Sequence, residues 1–352
     1  LLIYLAMERV LLIARQQREG WQTEEHFAGL EPTCLALDPL RPERVFCGTF
    51  DRGLWRSNDA GHTWERIGES RPGKEDGISY AQIMAVTVSS NERVGEHSVV
   101  YAGTEPTAIF RSEDGGASWL ELKELRGLPS APSWSFPPRP TTNHARWITP
   151  DPHIAGRIFV AVEAGAVLRS QDGGKHWEDR KPDGPLDTHT LLMHSQAPDR
   201  LYSAAGDGFI KAGRGYSESY DGGVTWQRFH QGLQHHYLWG LAVDPADPDT
   251  IIISGATTPA HAHATKVSAN SAVYRKTSGQ PWRQVTHGLP EAEGTIAPTL
   301  ACNESEPGVF YALSNKGLYR SCDAGEHWEH LALAWKPEYE GQHPQALLIS
   351  NI

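Results

Sequence analysis

Ser219-Tyr220-Asp221-Gly222-Gly223-Val224-Thr225-Trp226 decides the fold, because the chain writes the same sentence several times. Close copies run Ser57–Trp64, Ser112–Trp119, Ser170–Trp177 and Ser321–Trp328. The aspartates of successive copies, Asp59, Asp114, Asp172, Asp221 and Asp323, are 55, 58, 49 and 102 residues apart. The last interval is twice the usual one and predicts a worn copy midway. Lys276-Thr277-Ser278-Gly279-Gln280-Pro281-Trp282 fills that place, keeping the glycine and tryptophan without the aspartate.

Each copy reads as a device for a tight corner. The carboxylate accepts backbone N–H groups across the turn, glycine takes positive φ, and the indole packs on an adjacent sheet. Alternating runs ending in arginine precede the corners, as in Gly53-Leu54-Trp55-Arg56 and Gly317-Leu318-Tyr319-Arg320. Further upstream lie apolar segments such as Val99–Gly103 and Val309–Leu313, and before those come runs closing in Asp-Pro turns, such as Cys34–Pro39 and Leu241–Pro245. A unit of about 50 residues is therefore four short antiparallel strands, the size of a propeller blade.

On these residues the chain resembles the Asp-box (BNR) repeat β-propellers of the sialidase-like superfamily. That resemblance implies a fold more than a chemistry, since the motif is a turn. Five full copies and one worn copy span residues 31–331, giving blades at about 31–67, 80–122, 144–180, 188–229, 236–285 and 295–331. Residues 332–352 together with 1–30 amount to one more unit, with Gln345–Ser350 as inner strand and Arg9–Ala14 and Gly20–Thr23 as outer strands. The expectation is an all-β chain forming a single seven-bladed propeller of four-stranded blades, the last shared by the two termini. A six-bladed ring with a loose N-terminal segment is the structural alternative.

Composition bounds the partners. The 352 residues carry 32 basic and 43 acidic side chains, a net charge of −11. Such a chain lacks the basic field that holds a phosphate backbone, so a nucleic-acid partner is not expected. No apolar run reaches membrane-spanning length, so no membrane partner is expected either. Four cysteines without CxxC spacing read as free thiols and point to a cytoplasmic setting. The start, Leu1–Gln17, is a poor secretion signal, and Met7 reads as the natural start, with the first six residues native or upstream sequence.

In a meander the corners after third strands all fall on one face, so chemistry is sought on the other. Seven histidines map there: His144, His189, His235, His236, His261, His263 and His343. The turns after second strands add Asp51, Glu105, Glu163 and Asp207, and two long loops, 123–143 and 255–271, overhang the same face. Trp134 and Phe136 look exposed on the first, proline-stiffened loop.

One reading makes Glu163 and Asp207, with His189 between them, an acid/base set for a hydrolase- or lyase-like reaction on a small polar or sugar-like substrate. Arg146, Trp134, Tyr216 and Tyr237 would then bind the substrate. A second reading gives His144, His189, His236 and His343 a divalent metal ion that polarises substrate or activates water. A third is a non-enzymatic scaffold for a protein or peptide. The departures from the family matter. The Arg-Ile-Pro or Arg-Leu-Pro segment of sialidases is missing, and Arg52, Arg139, Arg146 and Arg214 match no family motif. Tyr216 and Glu218 have the residue types of a Tyr–Glu nucleophile pair. The related endoglucanases use two tandem propellers, and this chain has room for one.

Overall fold

Short apolar runs closed by glycine and Asp-Pro turns can satisfy their backbone groups only by pairing. The computed structural model describes residues 1–265 and 268–351 and pairs them into seven antiparallel sheets. Two residues of the predicted 255–271 loop, and Ile352, lie outside the described residues. The chain is all-β, with the seven sheets as the blades of a seven-bladed β-propeller. It divides into two compact units, residues 27–188 and residues 1–26 with 189–351.

The first unit holds three blades. Blade one is Pro32–Asp38, Arg41–Thr49, Leu54–Ser57 and Glu65–Ile67, and blade two is Gln82–Val94, His97–Glu105, Ile109–Ser112 and Leu120–Glu121. Blade three has Ala145–Pro150, Ile158–Val162 and Ala166–Ser170, its fourth strand reduced to one bridge between Arg169 and Glu178. Side chains alternating off these strands meet in continuous apolar layers. Val99, Tyr101, Ile148, Val160 and Leu168 share one cluster, and Phe46, Ile83, Ala102 and Phe110 another.

The second unit holds four. Blades four and five begin at Thr188–His194 and Tyr237–Asp244, and blade six at Thr299–Cys302. Blade seven orders its strands Pro344–Ser350, Leu2–Met7, Val10–Gln16 and Trp21–His26. Leu2 lies opposite both Ser350 and Arg15. The structure adds one strand to those expected for this blade: Leu2–Met7, with every side chain buried. Six consecutive apolar or aromatic residues suit a strand covered on both faces.

The repeated corners do what their composition suggests. At Asp221, Oδ1 accepts the N–H groups of Val224 (3.1 Å) and Thr225 (2.9 Å), and Oδ2 accepts the Thr225 hydroxyl at 2.6 Å. Ser219 Oγ donates to Asp221 Oδ1 and accepts the Gly223 N–H at 2.8 Å. Corner tryptophans also tie blades together: Trp282 N–H donates to the Gln231 carbonyl and Trp328 N–H to the His287 carbonyl. Gly232 has φ +93°, and a Cβ there would sit 2.1 Å from the Trp282 carbonyl oxygen.

Candidate functional site

Strand register fixes which end of a blade carries which chemistry. In blade three, Ala145 pairs with Val162 and Val162 with Ala166, whereas Pro150 pairs with Ile158 and Ile158 with Ser170. His144 and Glu163 therefore share one end, and the Ser170–Asp172 corner takes the other. Blade five repeats the arrangement, with Tyr237, Ala256 and Ser271 together at one end and Lys276 at the far one.

In the unit of residues 27–188, His144 is 2% exposed and lies between two carboxylates. Its Nε2 is 2.8 Å from Glu163 Oε2, and its Nδ1 faces Glu105 Oε2 at 3.4 Å. Glu105 is gripped by both arms of Arg139, Nε to Oε1 at 2.8 Å and Nη2 to Oε2 at 2.6 Å. Arg146 Nε lies 3.8 Å from Glu163 Oε2. The Arg139 guanidinium covers the Phe136 and Phe50 rings at 4.8 and 5.1 Å, and the Phe136 ring meets His144 edge-on.

Burial alone would favour neutral imidazole at His144. The Glu163 charge and the hydrogen bonds to Glu105 and Glu163 outweigh it, and the pKa is raised above the ordinary value. Burial likewise opposes charge on Glu105, but the bonds from His144 and Arg139 prevail and lower its pKa to about 2. The cluster is an imidazole whose protonated form is favoured, held between two carboxylates and backed by two guanidiniums. Arg139, with 43% of its side chain exposed, is its opening to solvent.

In the unit of residues 1–26 and 189–351, His189 is 1% exposed and its Nδ1 donates to the Leu238 carbonyl at 2.6 Å. Tyr237 Oη lies 3.4 Å from His189 Nε2 and 2.8 Å from His263 Nε2. His263 Nδ1 meets His343 Nε2 at 2.6 Å, and Gln345 Nε2 approaches His343 Nδ1 at 3.3 Å. Trp239 packs against His189, His263 and His343. This polar chain crosses from blade four to blade seven, with His263 delivered by the helix Pro259–His263, which Thr258 caps.

Of the predicted acid/base set, Glu163 pairs with His144, His189 with the Leu238 carbonyl and Tyr237, and Asp207 opens the short helix Asp207–Ile210 at 9% exposure. Of the four histidines expected to hold a metal, His189 and His343 are linked through Tyr237 and His263. His144 is committed to Glu105 and Glu163, and His236 Nδ1 accepts the Gly213 N–H at 3.4 Å.

Two expected substrate contacts are core residues. Trp134 does not stand out from its loop: the turn Ala131–Ser133 folds it inward to 6% exposure, and its Nε1 donates to Ser130 Oγ. Asp179 in turn holds Ser130, and the indole lies over Gly165. Tyr216 is fully buried, edge-on to Trp282, with its hydroxyl donating to Glu218 at 3.0 Å. Arg146 and Tyr237 sit in the two clusters at 8% and 5% exposure. Glu105, Arg139 and His263 were noted in the sequence but given no role in the expected site. Glu105 carried a signal, since it ends its second strand as Glu163 follows the next blade's.

No protein-family model matches the chain. It is similar to xyloglucanase Xgh74A of Acetivibrio thermocellus, at 24% identity over 286 residues, 67% of this chain and 31% of that protein. The chain thus spans about a third of that curated relative. Among solved structures it resembles an ancestral GH74 enzyme (TM-score 0.63, 17% identity, 87% of this chain and 39% of that one). It also resembles YCF48 bound to D1 peptide (TM-score 0.57, 15% identity, 86% of this chain and 82% of that one). At these identities the structural likenesses establish the propeller alone.

Proposed function

We propose that the chain is an Asp-box propeller acting as a carbohydrate-processing hydrolase, with its acid/base centre at His144 and Glu163. The observation that carries the reading is the 2.8 Å contact between a buried imidazole and a carboxylate, at the blade end away from the corners. A proton held between Nε2 and Oε2 can pass to the oxygen of a sugar bond entering beside Arg139. Water then attacks the anomeric carbon and returns a proton to the pair. The similarity to a xyloglucanase supports a neutral polysaccharide as the substrate class. Four free cysteines fit a reducing, cytoplasmic setting.

The test is hydrolysis of xyloglucan oligosaccharides by wild type and Glu163→Gln. General acid–base participation predicts a loss of about a hundredfold or more in the folded variant. Equal turnover by the two proteins removes Glu163 from the mechanism.

One observation favours a second reading. The chain is matched over 82% of the peptide-bound propeller but over less than half of the ancestral GH74 enzyme. A peptide-binding platform predicts saturable binding of extended peptides, no sugar turnover, and indifference to Glu163→Gln.

A further inference from the structure

The corner of the fifth blade departs from the other five that carry the repeat, and a cleft of about 560 Å³ opens beside it, on the corner side of blades four and five. Strand register shows what has changed. Serine opens the other corners, Ser57 opposite Val45, Ser170 opposite Ile158, Ser219 opposite Leu201 and Ser321 opposite Phe310 among them. The fifth blade places Lys276 there, opposite Ile251. One position earlier, blades one, two, three, five and six carry Arg56, Arg111, Arg169, Arg275 and Arg320, and blade four inverts the charge, to Glu218. The two departures face each other, with Lys276 Nζ 3.7 Å from Glu218 Oε1.

Glu218 is fully buried and already well supplied with donors. Arg200 gives Nε and Nη2 to its Oε2 at 2.9 and 2.7 Å, Tyr220 donates to Oε2 at 2.7 Å, and Tyr216 donates to Oε1. Arg200 spends its remaining arm on Asp249 at 2.7 Å, and its guanidinium lies between the Tyr202 and Tyr220 rings. Both carboxylates of the region are thus bound to one arginine. Lys276 is left with a contact too long for a hydrogen bond and with the Phe229 ring 5.2 Å from its ammonium. Among the described residues its ammonium makes no hydrogen bond, although the side chain is only 11% exposed. Its three donors are therefore left to water or to a ligand in the cleft that brings acceptors. The cleft in front of it adds Arg228, the half-exposed Tyr220 ring and Phe229, and its volume suits a small ligand.

We propose that this cleft binds a small organic acid, its anionic group on Lys276 and its body against Tyr220 and Phe229. The anion is a carboxylate or a phosphate, and paired probes separate these. Benzoate and phenyl phosphate are titrated against the full chain by calorimetry, with benzyl alcohol as the uncharged control. At least one anion should bind saturably, at least about tenfold more tightly than the alcohol (about 1.4 kcal/mol), and more weakly as salt rises. Lys276→Ser, which restores the residue of the other corners, should weaken that anion about tenfold or more, and Lys276→Arg should retain it. Should Lys276→Ser fail to fold, Lys276→Gln removes the charge with little change in length and carries the same expectation. Binding of neither anion, equal binding of the alcohol, or unchanged affinity in the charge-removing variant would overturn the proposal.

Discussion

Replacing Glu163 by glutamine keeps the shape of the blade-three cluster and removes one of the two charges that hold His144 protonated. The substitution deletes an ion pair of 2.8 Å and leaves Glu105 at 3.4 Å. Two unit charges about 4 Å apart interact by about 4 kcal/mol at an effective dielectric near 20. The glutamine carbonyl keeps part of the hydrogen bond, and Arg146, no longer offset by the Glu163 charge, adds repulsion. A net loss of at least about 1.4 kcal/mol follows, or one pKa unit or more downward at His144. Nitrogen-detected NMR of the histidine side chains across a pH series reads this directly. His144 titrating at the same pH in both proteins would refute the reasoning.

Stability should follow the same groups. His144 has a folded pKa above its ordinary 6.5, so its contribution is complete below about pH 6.5 and fades as pH rises through the folded value. Glu105 falls to about 2 from 4.5, so its contribution is complete above about pH 4.5 and is lost as pH drops towards 2. The cluster holds the blade best between those limits, and Glu163→Gln should flatten the alkaline arm of a denaturation series.

Other perturbations have equally definite outcomes. Asp221→Ala deletes the acceptor of two backbone N–H groups and one hydroxyl, and should cost about 2 kcal/mol in urea unfolding, discounted for the exposure of the corner. A cost indistinguishable from zero would show that the corner is held by its backbone alone. Gly232→Ala forces a Cβ onto the Trp282 carbonyl at positive φ, and a loss of about 2–4 kcal/mol is expected by the same method. Trp134→Ala should destabilise by about 3–5 kcal/mol, as a core indole does. If Trp134→Ala instead left stability unchanged and abolished sugar binding, the indole would be a ligand contact after all.

Much of the fold was legible because the corner is a local device: Ser, Asp, Gly and Trp at fixed offsets serve the same turn wherever they recur. The seventh blade was only half legible, since Leu2–Met7 has the apolar run of a buried strand but no corner motif beside it. Site residues were harder to read for a different reason. Glu105 and His144 come from neighbouring blades 39 residues apart, and only the packing of one blade on the next brings them together. Trp134 misled because proline-rich sequence suggests an exposed loop, whereas Ser130 and Asp179 supply the hydrogen bonds that let the indole turn inward. Tyr216 misled because a two-residue alternation does not tell the solvent face of a strand from the face covered by the next blade.

The pairing of Leu2–Met7 with Pro344–Ser350 also governs biogenesis. During translation the earlier strand leaves the ribosome long before its partner is made. Until that partner arrives, one edge of Leu2–Met7 keeps its amide and carbonyl groups open to any neighbouring chain. Termination before Pro344 would leave that edge open for good. Nascent chains stalled near residue 340 should therefore depend most on chaperones, and emergence of Pro344–Ser350 should end that dependence.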